Sequence, residues 1–189
     1  DKAKLCSSIK DAIQDADVIF TMVGYPKDVY EVYCSEEGIL NHCKKDALCI
    51  DMTTSAPALA VELSQIAKSK GVRLLDAPVS GGDIGAKNAT LSIMVGGDEY
   101  DYNEALTYFN LMGKQVTHIG PHGSGQHCKM VNQIVVAGNI AAVTEAISYI
   151  QSKGLNEDLI LQAISGGAAG SLQLSNNGPK ILKQDYNPG

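Results

Sequence analysis

The chain has 189 residues, of which 44% are hydrophobic and 19% are charged, and its formal net charge is −6. This composition is typical of a soluble globular protein with a real core and excludes a disordered chain. Its acidic balance and scattered lysines and arginines give no electrostatic footprint for nucleic acid, so we predict no nucleic-acid partner.

The longest apolar stretch, Val131–Val143, is shorter than the roughly 20 residues that a bilayer span needs. Asn132, Gln133 and Asn139 also interrupt it. We therefore predict no membrane partner.

The cysteines are odd in number and have no metal-like spacing: Cys6, Cys34, Cys43, Cys49 and Cys128. Scattered thiols favour a reducing compartment, and we predict a cytoplasmic location. A nucleophile at Cys128 is the alternative to a structural thiol, but no base is paired with it by sequence spacing. The chain begins at Asp1 and stops at Gly189, and we expect both ends to lie inside a longer protein, so targeting signals are left open.

Apolar runs alternate with helical segments from the start of the chain. Strands are predicted at Asp17–Val23, Ala47–Asp51 and Val72–Asp76. A helix is predicted around residues 28–33. Another begins at Pro57, a favoured first helical position, and runs to Lys70 with Gly71 as its stop.

Two further strands are predicted at Leu91–Val95 and Val116–Ile119, on either side of a helix from about Glu99 to Met112. Continuous apolar strands separated by helices indicate an α/β fold with a partial Rossmann-type parallel sheet. Ligands of such sheets bind beyond the carboxyl ends of the strands. Turns at three of these ends predict one crevice: Gly24-Tyr25-Pro26, Thr53-Thr54-Ser55 and Ser80-Gly81-Gly82.

From Gly125 onward the pattern is all-helical. Gln126–Lys153 predicts one long central helix, apolar on nearly all sides and therefore expected to be buried all round. Shorter helices follow at about 156–165 and beyond Ser171. We predict a Rossmann-like domain over residues 1–124, and a truncated helical domain over residues 125–189 that carries dimerisation and substrate contacts.

The segment Gly120–Asn132 carries the strongest sign of chemistry. A glycine turn leads into the long helix, and the helical spacing puts Lys129 and Asn132 on one face. Burial and a helix N-terminus both lower a lysine pKa, as a general acid or base near neutrality requires. A solvated residue at a helix end is the alternative for Lys129. An amide on an apolar helix needs a partner, which favours Asn132, and less strongly Gln133, as a substrate ligand.

The Ser80, Gly81 and Gly82 turn is predicted to bind a carboxylate, because bare backbone N–H groups bind anions without a formal charge. A simple tight turn is the alternative. Likewise, Thr53 and Thr54 either cap the next helix or face a ligand. Two histidines, His122 and His127, have no third ligand nearby, so no metal site is predicted. The Gly-x-Gly-x-x-Gly dinucleotide fingerprint after a first strand is absent.

Taken together, these segments resemble the β-hydroxyacid dehydrogenase family, which includes 3-hydroxyisobutyrate dehydrogenase and tartronate semialdehyde reductase. The resemblance covers nearly the whole chain. It rests on motifs that are specific in combination, order and spacing: Asp51–Pro57, Asp76–Gly82, Met94–Gly97 and Gly120–Asn132.

The resemblance implies an NAD- or NADP-dependent enzyme that interconverts a small 3-hydroxy acid and its semialdehyde. Lys129 would transfer the proton at the substrate oxygen, Asn132 would orient the substrate, and the turn at residues 80–82 would hold its carboxylate. Met22, Val23 and Gly24, where the family usually has Met-Leu-Pro, would lie along the cofactor with Thr53 and Thr54. Family members pair through their helical domains, which implies a homodimer or homotetramer.

Three departures from the family pattern accompany the resemblance. The first β-α-β unit, which carries the phosphate-binding glycines, is not in the sequence, and neither is the residue that selects NAD or NADP. A family lysine expected further on in the helical domain also lies beyond the last residue.

The sequence leaves two alternatives. 6-Phosphogluconate dehydrogenase is related, but there a His-Asn pair follows the lysine where this chain has Asn132-Gln133, and no arginine-rich phosphate site follows Gly82. The small-acid branch is therefore favoured. The other alternative is a non-catalytic scaffold, against which the retained Lys129 speaks.

Overall fold

The computed structural model describes residues 3–187. Asp1 and Gly189, the ends at which we expect a longer protein to continue, lie outside the described residues. The chain forms two compact units, one ending at Lys129 and the other beginning at Met130.

The first unit is built on a six-stranded sheet in the order β1-β2-β3-β5-β4, with β6 paired to β5. Its strands are β1 Val18–Thr21, β2 Leu48–Asp51, β3 Arg73–Asp76, β4 Val79–Ser80, β5 Leu91–Gly96 and β6 Gly113–Gly120. Each predicted strand is present, and the Rossmann-type class is confirmed.

The sheet is mixed, however, which the sequence pattern does not predict. β1, β2 and β3 are mutually parallel, whereas β5 runs antiparallel to both β3 and β4 and parallel to β6. A parallel connection needs a crossover of about a dozen residues or more. Only the short helix Gly82–Lys87 lies between β4 and β5, so β5 returns antiparallel.

Helices flank the sheet in the first unit: α1 Ile9–Ile13, α2 Pro26–Cys34, α3 Ile39–His42, α4 Pro57–Ser69, α5 Gly82–Lys87 and α6 Glu99–Phe109. α7, Ser124–Ser152, begins in the first unit and continues into the second, followed by α8 Glu157–Ser165 and α9 Leu172–Leu182. The predicted signals for α4 are confirmed, since Pro57 opens it and Gly71 follows its end with a φ of 72°.

Both faces of the sheet are covered by apolar side chains. On one face Cys49 and Leu74 pack among residues from α1 to α4, including Tyr33 and Leu63. On the other face the strands pack against α6, through Leu48, Ile50, Leu75, Ile93, Val95, Ala105 and Phe109. Burial on both faces explains why the central strands β2 and β3 are continuous apolar runs, whereas the outer strand β6 alternates.

The second unit has its own small core where α8 and α9 pack on the later part of α7. The buried residues are Val143, Ile147, Ile150, Leu161 and Leu174. α8 and α9 are short amphipathic helices, so they cover only that part of α7.

The prediction that the long helix is buried all round is therefore wrong. Met130, Val131, Ile134 and Val135 are 53%, 62%, 65% and 56% exposed. By length and composition alone, α7 is also long and apolar enough to cross a membrane. The expectation that the longest apolar stretch is too short for a bilayer span is therefore wrong for α7, although core helices of soluble proteins can have the same length and composition.

Candidate active site

The turns after β1 and β2 are tied together by a buried hydrogen-bond network. The backbone N–H of Val23 donates to Thr53 Oγ1 at 3.0 Å, and the Thr21 hydroxyl donates to Asp51 Oδ1 at 2.9 Å. Asp51 Oδ1 also accepts the Thr53 N–H at 3.2 Å, and the Tyr33 hydroxyl lies 2.9 Å from Thr21 Oγ1. Burial raises the pKa of Asp51, partly offset by these hydrogen bonds. The network fixes the two turns relative to each other.

The predicted cofactor-side residues divide into supporting and exposed groups. Thr53 is 2% exposed and uses its hydroxyl to hold Val23, so its side chain supports the turn. Met22 is 66% exposed, and Gly24 and Thr54 are also exposed. The surface available to a ligand is thus formed by Met22, Gly24 and Thr54.

A buried amide side chain attaches this surface to α7. Gln126 is 2% exposed, its Nε2 donates to the Thr53 carbonyl at 2.7 Å, and its Oε1 accepts the Ser55 N–H at 2.8 Å. Sequence reasoning missed this residue, although the argument used for Asn132, that an amide on an apolar helix needs a partner, applies to it equally.

Asp76, at the end of β3, holds the N-terminus of α7. Its Oδ1 accepts the Gly123 N–H at 2.7 Å and its Oδ2 accepts the Gln126 N–H at 3.0 Å. A carboxylate in this position satisfies orphan helix donors and favours the helix dipole. At 1% exposure, desolvation nevertheless raises its pKa, with the two N–H bonds opposing that shift. This role of Asp76 was also missed, because the sequence does not show that the end of β3 lies beside the start of α7.

Lys129 is buried, at 8% exposure, and its Nζ donates to the Val79 carbonyl at 2.8 Å. None of the ion pairs found among residues 3–187 includes it. Burial lowers its pKa. A desolvated lysine without a carboxylate partner is suited to give up and regain a proton, whereas a solvated residue at a helix end is not.

The hydrogen bond to Val79 places the ammonium group beside the predicted substrate turn. Ser80, the next residue, is half-buried, and Gly81 and Gly82 are exposed with φ angles of 133° and 62°. A Cβ built at Gly82 would meet no atom within 4 Å, so the backbone there is open to a ligand. The lysine and the turn are therefore brought together within the first unit.

Asn132 and Gln133 belong to the second unit, in the part of α7 that follows Lys129. The side-chain amide of Asn132 donates to Gln133 Oε1 at 2.9 Å. Asn132 is half-buried and Gln133 is exposed. Their assignment as substrate ligands rests on their spacing from Lys129 along the helix.

The two histidines on the α7 entrance have different surroundings. A Cβ built at Gly97 would lie 3.2 Å from the His122 ring, whose Nδ1 is buried without a hydrogen-bond partner, and His127 is exposed. Within residues 3–187 no group of three His, Cys, Asp or Glu side chains could hold a metal ion.

The sheet is of the Rossmann type with polar turns at its strand ends, and the adjoining helix α7 carries a buried lysine in its second turn. Together these features define an α/β dinucleotide-binding fold. Comparison with family models agrees. Residues 1–120 match the NAD-binding domain of 6-phosphogluconate dehydrogenase, and residues 123–189 match the NAD-binding domain of NADP-dependent 3-hydroxyisobutyrate dehydrogenase. The chain belongs to the β-hydroxyacid dehydrogenase family.

Individual relatives share much of this sequence. An uncharacterised oxidoreductase of Bacillus subtilis is 50% identical over 96% of the chain, and the 2-hydroxy-3-oxopropionate reductase of Escherichia coli is 39% identical over 95%. The chain spans only 63% and 62% of the length of these two relatives.

Among solved structures, a Mycobacterium tuberculosis 3-hydroxyisobutyrate dehydrogenase with L-serine is similar, with a TM-score of 0.83 and 32% identity. The match covers 97% of this chain and 65% of that one.

Proposed function

We propose that the full-length protein is an NAD- or NADP-dependent oxidoreductase that interconverts a small 3-hydroxy acid and its semialdehyde. The main support for the proposal is Lys129, which is buried and has no carboxylate partner among residues 3–187. Its Nζ donates a hydrogen bond of 2.8 Å to the Val79 carbonyl, which directly precedes the Ser80–Gly82 turn. The names of the relatives support it, since they include a 3-hydroxyisobutyrate dehydrogenase and a 2-hydroxy-3-oxopropionate reductase.

In this proposal Lys129 moves the proton. During oxidation its neutral amine accepts the proton of the substrate hydroxyl, and during reduction its ammonium returns that proton to the carbonyl oxygen. The nicotinamide supplies or accepts the hydride when bound. The backbone of Ser80, Gly81 and Gly82 binds the carboxylate, and Asn132, with Gln133 beside it, orients the substrate.

The exposed surface of Met22, Gly24 and Thr54 is where this chain would hold the cofactor, on turns fixed by Val23 and Thr53. Met22, Gly24 and Thr54 are exposed there, whereas the hydroxyl of Thr53 and the amide of Gln126 are buried and hydrogen-bonded within the protein. None of these residues distinguishes NAD from NADP.

The proposal is tested by following NADH and NADPH oxidation by the full-length protein, including any sequence that flanks residues 1–189. The panel contains the semialdehydes of 3-hydroxyisobutyrate and glycerate, succinic semialdehyde and glyoxylate. Turnover with one aldehyde and one cofactor is the expected result and identifies both. Cofactor binding without turnover of any of them would favour the scaffold alternative.

The pH profile gives a second test, because burial lowers the pKa of Lys129. Oxidation of the hydroxy acid needs the neutral amine, so its kcat/KM should rise with pH and level off below the ordinary lysine value. Reduction needs the ammonium, so its kcat/KM should fall over the same interval. Steady-state rates in both directions between pH 6 and 10 check this. Parallel profiles in the two directions would contradict the assigned proton transfer.

We also propose that the exposed apolar stripe of α7, formed by Met130, Val131, Ile134 and Val135, pairs with a second copy of the chain. The stripe is too apolar to be left in water, and the amphipathic helices of the second unit leave it uncovered. A homodimer or homotetramer would bury it.

Ile134→Glu should therefore shift the protein from oligomer to monomer, since a carboxylate in an apolar interface is costly to desolvate. Sedimentation velocity at micromolar concentration measures the change. Tyr100→Glu is the matched control, because Tyr100 is 74% exposed on α6, away from the stripe. A wild-type monomer, or an unchanged oligomer in Ile134→Glu, would contradict the proposal, and binding of the wild type to lipid vesicles would identify a membrane occupant instead.

We propose a cytoplasmic location. The cysteines of the described part of the chain are all free thiols, which suits a reducing compartment.

A further inference from the structure

The Gln126 side chain makes two hydrogen bonds to one short turn far away in the sequence. Its Nε2 donates to the Thr53 carbonyl at 2.7 Å, and its Oε1 accepts the Ser55 N–H at 2.8 Å. At 2% exposure it is shielded from water, so both polar ends depend on these partners. Such a pairing needs a donor and an acceptor on one planar group. Among side chains of this length, the primary amide has both at every pH, whereas a carboxyl group has both only when it is protonated.

These two bonds do not serve to cap the helix. α7 is already capped by Asp76, which accepts the backbone N–H groups of Gly123 and Gln126 at 2.7 and 3.0 Å. Both of those bonds use the backbone, so they survive a change of side chain at position 126. What the side chain adds is specific to the turn at residues 53–55.

The turn is in contact with the other predicted cofactor segment. Thr53 Oγ1 accepts the N–H of Val23 at 3.0 Å. A continuous path therefore runs from Val23 through Thr53 to Gln126, and Lys129 follows three residues later in the same helix. Lys129 in turn donates to the Val79 carbonyl beside the substrate turn.

We propose that Gln126 is a positioning residue that couples the cofactor-side turns to the helix carrying Lys129. The inference rests on the proposed function of Lys129 but concerns a different residue. Gln126 touches neither the reacting atoms nor the exposed ligand surface. It fixes the distance between the segment along which the dinucleotide lies and the amine that moves the proton.

The first test is Gln126→Leu in the full-length protein, which removes both bonds and keeps a similar volume. The dissociation constant for NAD⁺ or NADP⁺, measured by calorimetry, should rise about tenfold, which corresponds to one hydrogen bond to a buried partner left unsatisfied. kcat/KM should fall about 10- to 100-fold, because a small displacement of a catalytic group has an effect of this size. The apparent pKa in the rate profile should move up toward the ordinary lysine value as the lysine site loosens.

The matched control is Ile39→Ala. Ile39 is 2% exposed in the core around α3, outside the hydrogen-bond path, and its truncation destabilises the fold without touching the turns. Assayed well below its Tm, Ile39→Ala should keep the wild-type cofactor affinity and pH profile. If Gln126→Leu lowers only the Tm, as this control does, Gln126 is a structural residue and the inference is overturned.

Gln126→Glu provides a rescue experiment. An ionised carboxylate accepts the Ser55 N–H but cannot donate to the Thr53 carbonyl, whereas a protonated carboxyl can do both. Affinity for the oxidised cofactor should therefore recover as the pH falls from 8 to 5 in Gln126→Glu and not in Gln126→Leu. The side chains of Asp76, His122 and Lys129 also lie near this position, but Gln126→Leu retains all three, so the comparison of the two variants removes their contribution. An identical pH dependence in the two variants would also overturn the inference.

Failure of the proposed function is recognised separately. If the enzyme keeps full turnover without the Lys129 amine, Lys129 is not the catalytic residue. The cofactor affinities measured for the Gln126 variants can still be interpreted in that case. If Lys129 is catalytic but Gln126→Leu keeps normal turnover and cofactor affinity, only the proposed coupling by Gln126 is wrong.

Discussion

Lys129→Met should lower kcat for a small 3-hydroxy acid about 10²- to 10⁴-fold, the usual contribution of a general acid or base. Methionine keeps an unbranched apolar stem at this buried position and removes only the amine. The free energy of unfolding at pH 7 should change by no more than about 1 kcal/mol. The loss of the hydrogen bond to the Val79 carbonyl is opposed by removal of a desolvated charge.

Stopped-flow or steady-state measurement of NAD(P)H formation by the full-length protein checks this result. Cofactor affinity should stay at the wild-type value, because Lys129 contacts the substrate side of the site and the cofactor surface lies on other turns. Lys10→Met is the control, since Lys10 is an exposed residue of α1. Wild-type kcat in Lys129→Met would reject the lysine as the proton-transfer group.

The retained activity of Lys129→Met should also lose its pH dependence in the interval assigned to the lysine. In the wild type, the lowered pKa means that the folded protein releases the Lys129 proton at a lower pH than the unfolded chain does. Stability should therefore rise with pH above the folded value and level off above the unfolded one. Lys129→Met should abolish both the pH dependence of the activity and the pH dependence of the stability. Losing the two together would assign both to Lys129 and not to another group that titrates in the same range.

Local signals in the sequence were sufficient to predict much of this fold. Pro57 and Gly71 bracket α4 as proline and glycine do at helix ends, and the continuous apolar runs became strands buried on both faces. Lys129 could be singled out because a lysine close to the N-terminus of an apolar helix opposes the helix dipole. These inferences depend on neighbours within a few residues along the chain.

The features that were missed depend on contacts between distant segments. Gln126 and Asp76 act on residues some 47 to 73 positions away, and nothing in their own surroundings in the sequence identifies those partners. The reversal of β5 follows from the length of the connection rather than from the strand itself. The burial of α7 was overestimated because an apolar pattern shows which surfaces must be covered and not which element covers them.

Gly125→Ala should destabilise the fold although it adds only one methyl group. A Cβ there would clash with the Met94 carbonyl and would lie 2.6 Å from the Asp76 carbonyl, both in the backbone of the sheet. Neither atom belongs to a flexible side chain, so α7 or two strands would have to move. The free energy of unfolding should fall by about 1–3 kcal/mol, the cost typical of overpacking. Urea titration measures it, with Gly166→Ala as the control, since no atom lies within 4 Å of a Cβ at that position.

This substitution also tests whether the glycines around the start of α7 serve packing or ligand binding. Gly96 shows the same constraint from the other side, since a Cβ there would lie 2.6 Å from Asp76 Oδ1 and 2.7 Å from the Gly125 N. The two glycines allow the helix N-terminus to reach the buried carboxylate that caps it. If a glycine were needed only for the approach of a bound phosphate, its substitution by alanine would leave the free protein stable and would lower only the affinity for the cofactor. We therefore expect Gly125→Ala to destabilise the protein equally with and without NAD(P). A loss confined to cofactor affinity would contradict this structural role and indicate that the turn binds phosphate.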